Sequence, residues 1–125
     1  MKGFKIIEGD RKIESSDGWS AANHLDIALF SDIHIPGSDT SREDQQIRKN
    51  FILSLDHAMQ SNPRVIVISG DLGQHEGCVD SYTWIRDTLD KNSVPYFIIP
   101  GNHDHNFLIE QIFPDFSLKD GKLFY

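Results

Sequence analysis

A single cysteine, Cys78, is all the thiol this 125-residue chain contains. One thiol excludes an intrachain disulfide framework and fits a reducing compartment, so a cytoplasmic location is expected. Nowhere does an apolar run approach the ~20 residues of a membrane-spanning helix. The first twenty residues, "MKGFKIIEGDRKIESSDGWS", lack a continuous apolar centre and do not read as a signal peptide. Positive charge is also scarce. Lys and Arg number 12 against 19 Asp and Glu, a formal net charge of −7 with a pI near 5.2. Nucleic-acid backbones usually meet a basic face, so the acidic balance argues against that partner. There is no internal repeat and no low-complexity segment.

What is present is ordinary globular composition, 38% hydrophobic and 25% charged, in a length that suits one domain or part of one. Residues 1–23 are polar, with one short strand expected at Phe4–Ile7, and read as an amino-terminal extension. From residue 24 onward the pattern sharpens. "LDIALFS" (Leu25–Ser31) is a strand that stops at "DIHIPGSDT", where Pro36 and Gly37 mark a loop. Thr40 followed by Glu43 matches a capping box. A helix is then predicted from about Arg42 to Gln60, with Ile47, Phe51, Leu55 and Met59 in one stripe, Ile52 beside it, and Asn62-Pro63 as the stop.

"RVIVIS" is too short for a helix and apolar on both faces, the pattern of a parallel strand covered on both sides. A second helix is predicted from about Val79 to Lys91, with Val79, Tyr82, Ile85 and Leu89 on one face. "VPYFII" is the third strand. A short helix follows over roughly Asn106–Phe113, and "GKLFY" opens a terminal strand. The centre therefore reads β-α-β-α-β, the sign of an α/β fold with a parallel sheet.

In such sheets, functional groups gather beyond the carboxyl ends of the strands. Here the first strand ends in Asp32-Ile33-His34, the second in Gly70-Asp71, and the third in Gly101-Asn102-His103-Asp104. Parallel strands bring all three clusters to one edge. Asp32 and His34 are two apart, so in extended geometry they project to one side and can grip one ion. Gly70 and Gly101 let the backbone turn or approach closely. Carboxylates, imidazole and an amide together suit manganese, iron or zinc better than calcium. Each fragment alone is weak: Asp-x-His arises by chance, and Gly-Asp is usually a turn. Their order, each at the end of an apolar run with a helix between, is specific.

The blocks "SDIH", "SGDLG" and "PGNHD" resemble the first three signatures of the calcineurin-like metallophosphoesterases. The stretch "GDLGQHEGCVDSYTWIRDTLDKNSVPYFIIPGNHD" is most similar to the branch that includes class III cyclic-AMP phosphodiesterases. The resemblance covers Leu25 to Tyr125. It implies a hydrolase with two divalent metal ions. Asp32 and His34 would hold the first ion, Asp71 would bridge both, and Asn102 would bind the second. A hydroxide held between them would attack phosphorus in a phosphodiester, with a 3',5'-cyclic nucleotide the suggested small substrate. His103 would stabilise the phosphate charge or protonate the leaving group, with Asp104 orienting its ring. Asn102 and His103 would touch substrate, and His75 and His105 lie on the same edge as further candidates.

The same resemblance implies a four-layer α/β/β/α sandwich whose second sheet is largely missing from these 125 residues. Also missing are a lone His and a Gly-His-x-His block that the family carries farther along the chain. The sequence is thus expected to be the amino-terminal part of a longer enzyme, inactive by itself and with apolar sheet surface uncovered. A metallo-nuclease and a non-catalytic metal- or phosphate-binding module are the alternative functions. His24 and His57 are expected at the surface, Glu43, Asp44 and Asp56 on a solvated helix face, Cys78 buried or half-buried, and Tyr82 and Trp84 in helix packing.

Overall fold

The structure, a computed structural model, describes residues 4–7, 12–15, 25–120 and 122–125, with the backbone alone at 4–7, 12–15, 123 and 124. Strand β1 (Phe4–Ile7) pairs antiparallel with β2 (Lys12–Ser15), so the short strand expected in the extension exists and has a partner. The expectation for His24 lies outside the described residues.

The functional part of the fold is a three-stranded parallel sheet in the order β3 (Ile27–Ser31), β4 (Val65–Gly70), β5 (Tyr96–Pro100). Helix α1 (Arg42–Met59) joins β3 to β4, and α2 (Val79–Leu89) joins β4 to β5. Ile27 pairs with Val65 and Ser31 with Ser69, while Ser69 pairs with Ile99 and Gly70 with Pro100. The three strands therefore end level with one another. That register carries the three polar clusters to one edge.

One face of the sheet carries the core. Phe30, Ile66, Ile68, Tyr96 and Ile98 alternate along the strands and pack against Phe51 and Leu55 of α1 and Tyr82, Ile85 and Leu89 of α2. Phe30 meets Phe51 edge-on at 5.6 Å between ring centres, and Phe51 meets Trp84 at 6.2 Å. The Arg48 guanidinium lies 5.1 Å over the Trp84 ring. Trp84 is thus a packing residue, as expected. Helix α3 (Asn106–Ile112) adds Ile109 and Ile112 to the same side, and Phe113, just beyond it, meets Tyr96 edge-on at 6.3 Å between ring centres.

No residue of β4 is exposed, and Val65 is buried at 4%, but the flanking strands are open on the face away from the helices, which is the uncovered apolar sheet surface that was expected. Ile27, Leu29 and Ile99 on that face are 52%, 67% and 55% exposed. The Tyr125 ring covers part of that face, 4.4 Å from Phe97. Tyr125 follows β7 (Lys122–Phe124), which pairs antiparallel with β6 (Ser117–Lys119). The apolar pattern encodes burial on two sides, and all three helices lie on one.

Two helix details also differ from expectation. The cap of α1 is Ser41, in extended conformation with its Oγ accepting from Asp44 N at 3.0 Å, and not Thr40. On α2 the inward stripe is Tyr82, Ile85 and Leu89 with Ser81 and Thr88, and Val79 is 52% exposed. Ser81 can turn inward because its hydroxyl is used locally: Oγ donates to Cys78 O at 2.9 Å and accepts from Cys78 N at 3.1 Å. Cys78 itself is exposed, against the expectation of burial.

Candidate metal centre

Beyond β3 the chain leaves the sheet without losing its neighbour. Asp32 N donates to Ser69 O at 2.8 Å, His34 N to Asp71 O at 3.2 Å, and Ile35 N to Leu72 O at 2.7 Å. The two exit loops therefore run together for several residues. Asp32 (φ 48°) and His34 (φ 45°) are both left-handed, not extended. The sequence argument placed them on one side through the period of a strand. They do converge, but through two unusual backbone conformations held by the adjoining loop. Non-glycine residues in this region cost energy and cluster at functional sites.

Asp32, His34 and Asp71 each present a ligand atom, and these atoms lie within 4.8 Å of one another. Two ligands on one ion with ~2.1 Å bonds can be at most ~4.2 Å apart, so the widest spacing in the trio exceeds that limit by no more than roughly 0.6 Å. Asp71 is buried, with 7% of its surface exposed, while Asp32 and His34 face solvent. A buried carboxylate flanked by an exposed carboxylate and imidazole is costly without a cation between them. Two hard oxygens and one nitrogen fit manganese, iron or zinc.

Glycine makes the room. A Cβ at Gly70 (φ +85°) would sit 2.5 Å from Asp32 Oδ1, and one at Gly101 would sit 2.0 Å from Asp71 Oδ1. Both ligand carboxylates thus lie where any other residue would have its side chain. This sharpens the expected use of these glycines: the close approach is by the carboxylates. Asp32 also accepts a short hydrogen bond from the Ser31 hydroxyl and a long one, 3.4 Å, from Asp71 N. The Ser31 hydroxyl, then the Asp71 amide, hold the Asp32 carboxyl below the usual carboxylate range.

The third cluster lies in the turn after β5. Asn102 and His103 are exposed there, and His103 N donates to Asp71 Oδ1 at 3.1 Å, linking the turn to the buried carboxylate. The imidazoles of His103, His75 and His105 do not join the ligand group among the described residues. His75 (φ 55°) is exposed in the loop before α2, and His105 is exposed at the start of α3. His57 is exposed, as expected.

Asp104 departs from its expected role. Its carboxylate accepts from Leu72 N at 3.0 Å, Gly73 N at 3.3 Å, Gly101 N at 2.9 Å and the Tyr82 hydroxyl at 2.9 Å. No hydrogen bond from the His103 ring reaches it among the described residues. The turn folds the Asp104 side chain inward while His103 stays exposed, so the expected support of the ring is replaced by support of the backbone. Tyr82 is the residue that sequence reasoning missed. Helical spacing placed its ring in the core, and only the rule that a buried phenol needs a partner hinted at more.

A pocket of about 310 Å³ opens between β3 and α1, lined by residues that include Phe30, Ile33, Ile47 and Asn50. It contains none of the ligand residues. No helix among the described residues is long and apolar enough to cross a membrane.

Residues 25–124 match the family model described as calcineurin-like phosphoesterase. Among curated proteins the chain is similar to a probable cyclic nucleotide phosphodiesterase of Fibrobacter succinogenes, with 35% identity over 105 residues, 81% of this chain and 40% of that protein. It is 31% identical over 83 residues to a protein of the same description from Moraxella catarrhalis, 66% of this chain and 28% of that one. A third relative so described, from Coxiella burnetii, is 30% identical over 95 residues, 74% of this chain and 37% of its own. The chain spans 40% or less of the length of these relatives. The α/β order, the Asp32–His34–Asp71 group at the sheet edge and the family match over residues 25–124 agree, and this chain belongs to the calcineurin-like phosphoesterase family.

Proposed function

We propose that these residues form one edge of the active site of a metal-dependent phosphodiesterase acting on a small phosphodiester of the cyclic-nucleotide class. The observation that carries this reading is the convergence of Asp32, His34 and Asp71 within 4.8 Å at the carboxyl edge of a parallel sheet. The substrate class rests on relatives described as probable cyclic nucleotide phosphodiesterases. The net charge of −7 disfavours a long polyanion such as nucleic acid. The lone Cys78 fits a cytoplasmic setting.

In this reading Asp32 and His34 would hold one divalent ion, Asp71 would serve it and a second, and Asn102 would offer its amide oxygen to that second ion. Manganese, iron and zinc suit the donors. When bound, the ions polarise the phosphoryl oxygens and make a nucleophile available at neutral pH. Asp71 keeps its orientation through the His103 amide. His103, exposed in the turn after β5, would give a proton from its imidazole to the leaving alkoxide. His75 and His105, exposed on loops near the same edge, contact the rest of the substrate.

Because the chain spans 40% or less of its relatives' length, the test uses a protein of their full length that carries these residues, and measures manganese-dependent turnover of 3',5'-cyclic AMP, bis-p-nitrophenyl phosphate and single-stranded DNA, beside Asp71→Asn. Turnover of the first two that vanishes in the variant is expected. Turnover of DNA alone would replace the reading with a nuclease. Manganese binding without any turnover would favour a binding module.

A further inference from the structure

We propose that Tyr82 and Asp104 form a positioning pair that sets the geometry of the metal centre from beneath. The inference rests on the metal-centre reading above and names residues that hold its loops.

The Asp104 carboxylate gathers the N–H groups of Leu72 and Gly73, which follow Asp71, and of Gly101, which precedes Asn102. Two loops that end in candidate ligands thus share one anion. Charge-assisted bonds of this kind are shorter and stronger than neutral ones. Tyr82 fixes the anion in turn. Its hydroxyl donates to Asp104 Oδ1 at 2.9 Å and accepts from His105 N at 2.9 Å. Tyr82 is fully buried, so this hydroxyl has no water to turn to.

Room for the phenol is made by another glycine. A Cβ at Gly77 would lie 1.7 Å from the Tyr82 hydroxyl. Gly77 N in turn donates to His103 O at 3.0 Å. Helix α2, the loop before it and the turn after β5 are therefore joined at one point below Asp71, Asn102 and His103. Groups that orient metal ligands at one remove typically change metal affinity or activity by ~10–100-fold when altered.

The molecule contains its own control. Tyr96 is also buried, and its hydroxyl donates to Asp90 Oδ1 at 2.9 Å. That bond has the same chemistry and length but lies at the far end of α2, where no ligand residue sits.

The experiment compares Tyr82→Phe, Tyr96→Phe and Asp71→Asn by manganese titration, with thermal unfolding of the metal-free proteins alongside. Tyr82→Phe is expected to weaken manganese binding by ~10–100-fold. Tyr96→Phe is expected to lower the melting temperature comparably and to leave manganese affinity at the wild-type level. Wild-type affinity in folded Tyr82→Phe, or an equal loss in Tyr96→Phe, overturns the inference. Should Tyr82→Phe fail to fold, Asp104→Asn takes its place, with the same loss expected. Wild-type affinity there overturns the inference, and failure of both variants to fold assigns the pair a structural role alone. If wild-type protein binds manganese no better than Asp71→Asn, the metal-centre reading itself falls, a result separable from the others.

Discussion

At the scale of single residues, the site depends as much on what glycine omits as on what the ligands supply. Gly101→Ala removes no ligand atom, yet its Cβ would occupy the place of Asp71 Oδ1. It is expected to weaken manganese binding nearly as much as Asp71→Asn, measured by titration of the folded proteins. Gly70→Ala adds strain to displacement, because Gly70 also sits at φ +85°. Asp71→Asn and His103→Ala should separate binding from chemistry. Asp71 is buried among the ligands, so its loss should remove metal and turnover together. The His103 ring lies outside the ligand group, so His103→Ala, in a protein of the relatives' full length, should retain metal and lose turnover by ~100-fold or more, as expected of a proton donor. Normal manganese content in Asp71→Asn would contradict the shared-ligand role.

At the scale of elements, the start of α1 shows where pattern reading reaches its limit. Thr40-Ser41-Arg42-Glu43-Asp44 offers two overlapping solutions, Thr40 with Glu43 and Ser41 with Asp44. Ser41 is the residue in extended conformation with its hydroxyl on Asp44 N, while Thr40 lies near Ser38 instead. Ser41→Ala is therefore expected to cost ~1 kcal/mol and Thr40→Ala little, by urea unfolding. Equal costs would return the cap to Thr40. The inward face of α2 was legible at Tyr82, Ile85 and Leu89 because apolar spacing marks it. Val79 was misjudged because the first turn is set by Ser81 bonding back to Cys78, which no hydrophobic count contains.

At the scale of the whole molecule, the two faces of the sheet should respond differently to mutation. Ile68 is fully buried against the helices, and Ile68→Ala is expected to cost ~2–5 kcal/mol. Leu29, on the open face, is 67% exposed, and Leu29→Thr should change stability by less than ~0.5 kcal/mol. That substitution should also reduce self-association, because Leu29, Ile27 and Ile99 expose apolar surface on that face. Chemical unfolding gives the first pair of values, and light scattering at rising concentration gives the third. A large loss in Leu29→Thr would mean that the face is covered.

The sequence by itself determined the strand–helix order, the parallel sheet and the edge at which Asp32, His34, Asp71 and Asn102 lie. These follow from local pattern: apolar runs set the strands, and parallel strands end on one side. Tertiary structure alone decided how the side chains meet. The left-handed conformations of Asp32 and His34 are held by a loop some forty residues distant, paired through Ser69 and Asp71. The Asp104 carboxylate went to backbone amides and to Tyr82, a residue on another element, because the turn after β5 points it inward. That some apolar sheet surface would stand uncovered was expected from the resemblance, but which residues bear it, Ile27, Leu29 and Ile99, was decided by packing. These residues are as apolar as those of the covered face, and which side the helices occupy is a matter of packing between distant segments that no local pattern records.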